Sequence, residues 1–265
     1  MKWSYILFLS AFVSAFWGVA PIVSKKSLTP AQFVLCFMQL TVAFAVTMLA
    51  IFFRGRAGTL SIYDFLFRLS SMFCVPLYYI GICTLTQPRG ATLRQRRVIL
   101  LPIIYMIVFT AGMLVLGPAR YEQLCEAVCE GDDVFLHGDN AWNFMLLCDH
   151  WAYLILLVAV NFPLMLTAHR KAREYQLRFN SYYAQGLNVP FIDSRVLVIL
   201  TWLFLPLGIL TILMIDFRPY YYKYWIIGTT VILTVLQFFI GRFVYRLDYD
   251  ARSLADYIRK NHELE

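Results

Sequence analysis

Long stretches of unbroken apolarity alternate with short polar joints along the chain. Seven of them, over about 4–23, 31–53, 69–87, 98–117, 144–167, 196–215 and 224–241, approach the roughly 20 residues that a helix needs to cross a hydrocarbon layer. Each predicts a helix, because only a helix satisfies its own backbone while crossing lipid. The stretches are continuously apolar and do not alternate in roughly ten-residue pieces, which argues against a β-barrel. The expected fold is all-α, a polytopic membrane protein of seven transmembrane helices. Pro21, Pro76, Pro102, Pro163 and Pro206 fall inside or at the ends of these stretches, where proline kinks a helix and neighbouring helices re-satisfy the freed carbonyls. Met1 to Ser14 also has the form of a cleaved signal peptide. Apolarity continues through Trp17 and Val19 to Val23, however, so a retained first span is expected.

Composition agrees with this pattern. Of the 265 residues, 60% are hydrophobic and only 15% charged, with a mean hydropathy of +0.65; a soluble domain carries about 25% charged residues. The net charge of +7 does not point to nucleic acid, because the bases are spread over short loops. They orient the chain instead, since lysine and arginine gather on the cytoplasmic side. With the N-terminus outside, 16 of the 23 bases fall inside, in four groups around Lys25, Arg89 to Arg97, Arg170 to Arg195 and Arg242 to Lys260. The expected topology is N-terminus out and C-terminus in. Arg54 and Arg56 are the exception to it. A tyrosine-rich run from Tyr220 to Trp225 before the seventh stretch reads as an interfacial anchor.

The longest polar interruption is 120–140, RYEQLCEAVCEGDDVFLHGDN, which this topology places outside. It holds six carboxylates against the single base Arg120, together with Cys125, Cys129 and His137. Cys148 and His150 follow at the mouth of the fifth stretch. Thiols outside the cytoplasm tend to oxidise, so a disulfide among Cys125, Cys129 and Cys148 is expected. Cysteines four apart in a regular helix fit disulfide geometry poorly, which favours a non-helical loop or a bond to Cys148. A soft-metal site is the sharper reading of the same residues, but C-x3-C-x7-H followed by C-x-H matches no standard zinc pattern. No metal is expected.

Asp149 and His150 stand just within the outer end of the fifth stretch, where ionisable groups cost energy and mark functional sites by default. With His137 they are the candidate signal-binding residues. Their bland reading is a place at the water interface, since Trp151 to Thr167 already nearly spans. Asp64 and Arg68, spaced i, i+4, form a candidate intrahelical ion pair on an amphipathic lead-in to the third stretch. Gln39 and Gln237 are lone mid-span polar residues, which usually bond helix to helix. No lysine stands in the middle of a late span to carry retinal, and the phosphate-loop, HExxH and GxSxG motifs are missing from the sequence. The chain is expected to be neither an enzyme nor a cofactor carrier.

PLYYIGICTLTQPR (76–89), RQRRVILLPIIY (94–105) and REYQLRFNSYYAQ (173–185) resemble the seven-helix membrane region that precedes AraC-type DNA-binding domains, and some histidine kinases, in Bacteroidota. The resemblance implies a sensor in the cell inner membrane that relays an extracytoplasmic small-molecule or stress signal to a transcriptional output. On that expectation residues 1–247 are the sensor and 248–265 a cytoplasmic helical tail. DNA would be met only through an output domain not in this chain. The bilayer is the expected partner and a homodimer a candidate assembly. AFWGVAPIVSKKSLTPAQF (15–33) resembles instead the first helix and loop of drug/metabolite transporters, which implies small-solute transport.

Overall fold

The computed structural model describes residues 4–54, 58–130, 155, 158–175, 177 and 222–247. Among them every regular element is a helix. They are α1 (Ser4–Ser24), α2 (Pro30–Phe52), α3 (Leu60–Thr86), a short α4 (Leu93–Arg96) that runs through a 3-10 turn into α5 (Leu100–Leu116), α6 (Pro118–Glu130), α7 over 158–175, and α8 (Tyr222–Arg246). Five described helical segments are long and apolar enough to cross a membrane: Tyr5–Ser24, Pro30–Phe52, Leu60–Thr86, Leu93–Val115 and Ile227–Arg246. Of the seven expected spans, the sixth (196–215) lies outside the described residues, and so does most of the first half of the fifth. The expected tail helix at 248–265 lies outside them too.

Local sequence explains where the helices begin. Thr29 and Gln32 form a reciprocal capping box at α2, with Pro30 at the first helical position, where its missing N–H costs nothing. Thr92 and Gln95 repeat the device at α4. Gly117, at φ 90°, closes α5 in a conformation open to glycine, and Pro118 starts α6 directly behind it.

The second half of α3, from Cys74 to Thr86, is buried on all sides and forms the bundle's centre. α2 packs along it, and Gly81 lets the two approach so closely that a Cβ there would stand 2.5 Å from Leu35 Cδ2. Met165, Ala168 and Ala172 of α7 complete the same core. α1 covers the other flank of α2, with Gly18 against Leu40. α8 runs parallel to α1, locked by Trp17, which meets Phe238 edge-on at 5.3 Å and Tyr245 at 6.1 Å.

This packing gathers the basic joints at one end of the bundle. Lys25 Nζ donates to Leu247 O at 3.2 Å, and Lys171 of α7 reaches the side-chain amide of Gln87 just past α3. The basic end thus holds the C-termini of α1, α3 and α8 and the Lys171 turn of α7. At the opposite end, Arg54 lies over the Tyr5 ring at 4.9 Å, joining the end of α2 to the start of α1.

Candidate functional site at the first turns of α3

The apolar pattern placed the start of the third span near 69, but α3 begins at Leu60. Its first three turns carry Ser61, Asp64 and Arg68, polar enough to break a hydropathy window. They are covered by α6. The stretch expected as an acidic loop from 120 therefore begins as a helix, and α6 lies across α3 and α5 at the end opposite the bases.

Two adjacent α6 residues make the junction. Glu122 Oε1 accepts from Leu60 N at 2.7 Å and Oε2 accepts from Ser61 N at 2.8 Å. Thr59 makes no side-chain cap bond of its own, so α3 is capped by a carboxylate from another helix. A negative charge at that position also meets the positive end of the α3 dipole. Burial alone pushes the Glu122 carboxyl up, but hydrogen bonds from Ser61, Leu60 and Gly58 outweigh it and hold it below its ordinary value of 4.5.

Tyr121, 2% exposed, donates its hydroxyl to Asp64 Oδ2. The same oxygen accepts from Arg68 Nε at 2.7 Å. The guanidinium lies over Phe109 of α5, 5.6 Å from the ring centroid, in cation–π range. Phe109 in turn stacks on Phe65 at 5.6 Å and on Tyr105 at 5.7 Å, and meets Tyr121 edge-on at 5.8 Å. Asp64, Arg68, Tyr121 and Phe109 join three helices through one nearly closed polar and aromatic knot. Such a knot can bind helices together and respond to charge.

Of the residues singled out from sequence, the structure brings Asp64 and Arg68 together. Cys125 is buried on α6 against the same aromatic cluster, and Cys129 follows one turn later on the same helix. Cys148, His137, Asp149 and His150 lie outside the described residues. No group of three or more His, Cys, Asp or Glu side chains able to hold a metal occurs among the described residues. Tyr121 and Glu122 were not singled out from sequence. Their signal was available: Tyr121, Leu124, Cys125 and Val128 stand at i, i+3, i+4 and i+7, the apolar period of a helix.

A second polar set lies deep in the bundle. Gln39 donates from Nε2 to Gln237 O at 3.2 Å, tying α2 to α8. Gln39 Oε1, both polar atoms of the Gln237 side chain, and the hydroxyls of Ser10 and Ser14 on α1 are fully buried without a hydrogen-bond partner among the described residues. Thr41, Thr47, Thr84, Thr86, Thr167 and Thr234 bond the carbonyl four residues back, as hydroxyls in apolar helices do. Ser10 and Ser14 do not.

No protein-family model, curated protein or solved structure matches this chain.

Proposed function

We propose that the chain is a seven-helix inner-membrane sensor, N-terminus out and C-terminus in, that relays an extracytoplasmic signal to a transcriptional output. The observation that carries this reading is the attachment of α6 to α3 through Glu122 and Tyr121. α6 begins the acidic segment, and α3 runs from that attachment through the centre of the core to the basic end. There Gln32 holds Val244 O in the last turn of α8, and Lys25 holds Leu247 O just past it. A signal that binds the docked and released forms of α6 unequally would shift α3, and with it the base from which residues 248–265 leave. Because the bases gather at the end where α8 finishes, that end is the cytoplasmic one in this reading.

The test compares wild type with Tyr121→Phe/Glu122→Gln, each carrying a single added reporter, Ser27→Cys at the basic end. The relay reading expects the thiol-labelling rate at residue 27 to change several-fold when α6 is released. Equal rates in a variant that still inserts would defeat it. Orientation is checked separately with Arg120→Cys, since Cys125 is buried. Labelling by an impermeant maleimide from outside intact cells is expected, and protection there inverts the map.

The atoms of Ser10, Ser14, Gln39 and Gln237 that have no partner among the described residues support a second reading, small-solute transport. Buried polar groups left unsatisfied cost about 1–3 kcal/mol each and call for an explanation, of which a polar solute is one. Glycerol or urea flux into proteoliposomes that falls in Gln237→Leu would favour it over the sensor. Flux no greater than in protein-free vesicles would end it.

A further inference from the structure

The four arginines between α3 and α5, Arg89, Arg94, Arg96 and Arg97, are all exposed. Arg96 is engaged by nearby backbone, its Nε donating to Ala91 O at 3.1 Å. In a 3-10 turn, residues i and i+3 eclipse one another, so the turn at Arg97–Ile99 sets Arg97 directly over Leu100. The stripe continues through Ile104 and Ile107, all exposed, and Leu93, 77% exposed, stands one turn before Arg97. Arg94 heads the neighbouring row, which runs on through Leu101 and Val108.

Two guanidinium groups therefore top an outward-facing apolar stripe on a segment long enough to span the bilayer. That is the arrangement of charge and grease in a single phospholipid: a phosphodiester head above two acyl chains. Nothing in the surrounding sequence neutralises the pair, because no Asp or Glu occurs between Asp64 and Glu122. Among the described residues, Glu174 is the only carboxylate at the basic end of the bundle. The Thr92–Gln95 capping box is satisfied internally, and no hydrogen bond or ion pair ties the side chains of Arg94 and Arg97 to any of the described residues.

We propose that Arg94 and Arg97 form a site for an anionic phospholipid, with the phosphodiester held by the guanidinium groups and the acyl chains lying along Leu100, Ile104 and Ile107. Guanidinium suits this role because its planar fork donates two parallel bonds to phosphate oxygens and is weakly hydrated. The site does not depend on the sensor or transporter reading, only on the helices lying in a bilayer.

The test uses the full chain in nanodiscs containing equal phosphatidylglycerol and phosphatidylcholine, with lipids retained after detergent extraction counted by native mass spectrometry. Two bases near an anionic surface predict about a thirtyfold preference for phosphatidylglycerol. Arg94→Gln/Arg97→Gln is expected to lose most of that preference, Arg94→Lys/Arg97→Lys to keep part of it, and Arg89→Gln to leave it unchanged. Equal retention of the two lipids by the wild type overturns the proposal without reference to any variant. So does a preference that survives in Arg94→Gln/Arg97→Gln.

Discussion

Gln32 donates from Nε2 to Val244 O at 3.0 Å while its Oε1 accepts from Thr29 N at 3.0 Å. One amide thus closes the capping box of α2 and holds the end of α8, a residue 212 positions away. Replacing it removes both functions at once. Gln32→Ala is expected to cost about 2 kcal/mol, a cap plus a buried hydrogen bond, and Thr29→Ala about 1 kcal/mol, a cap alone. Thermal unfolding in detergent checks the order, and equal losses would mean that the bond to Val244 contributes nothing.

The Glu122 cap makes a pH prediction. Its carboxyl is held below 4.5 in the folded chain, so its contribution is present above the ordinary carboxylate range and is lost as pH falls through the lowered value. The difference in unfolding midpoint between wild type and Glu122→Gln is expected to be constant from about pH 7 to about pH 5, then to shrink as the carboxylate protonates. A difference that grows on acidification reverses the sign and refutes the cap.

Asp64 and Arg68 form a largely buried pair, so removing one partner costs more than removing both. Asp64→Ala leaves a buried guanidinium short of its carboxylate and is expected to lose about 3 kcal/mol, while Asp64→Ala/Arg68→Met recovers part of that loss. Tyr121→Phe removes only a hydroxyl donor and is expected to cost about 1 kcal/mol. A double-mutant cycle between positions 64 and 68 that closes to zero would show the pair to be uncoupled.

Two glycines are expected to behave oppositely. A Cβ at Gly241 runs into Trp17, the ring that joins α1 to α8, whereas a Cβ at Gly112 in α5 meets nothing within 4 Å. Gly241→Ala is expected to unfold at lower temperature than the wild type. Gly112→Ala is expected to gain about 0.5–1 kcal/mol, because alanine loses less backbone freedom in a helix. Two variants of equal stability would mean that α1 and α8 do not meet at Trp17.

How much of this was legible depended on whether a residue's partner lay on its own helix. Apolar runs located α1, α2, α5 and α8 to within a few residues, because a lipid-facing helix announces itself by composition alone. The i, i+4 spacing was enough to single out Asp64 with Arg68. Glu122 was invisible as a cap, since the amides it holds belong to Leu60 and Ser61, some sixty residues earlier. Thr59, a residue type that can cap a helix itself, makes no side-chain cap bond here. The acids of 120–140 masked the helical period of Tyr121, Leu124, Cys125 and Val128, so a docked helix read as a loop. Gln39 read as a bond between helices and is one, but its partner is the Gln237 backbone, which no side-chain pattern could reveal.

α3 has 27 residues, which at 1.5 Å each is a rod about 40 Å long, whereas the hydrocarbon slab is about 30 Å thick. With Thr86 level with the basic end, about seven residues overhang at the other end. Asp64 stands within that overhang and Arg68 just beneath it. The ion pair therefore marks the waterline of the molecule. Its charges bear on how deeply α3 is seated in the bilayer.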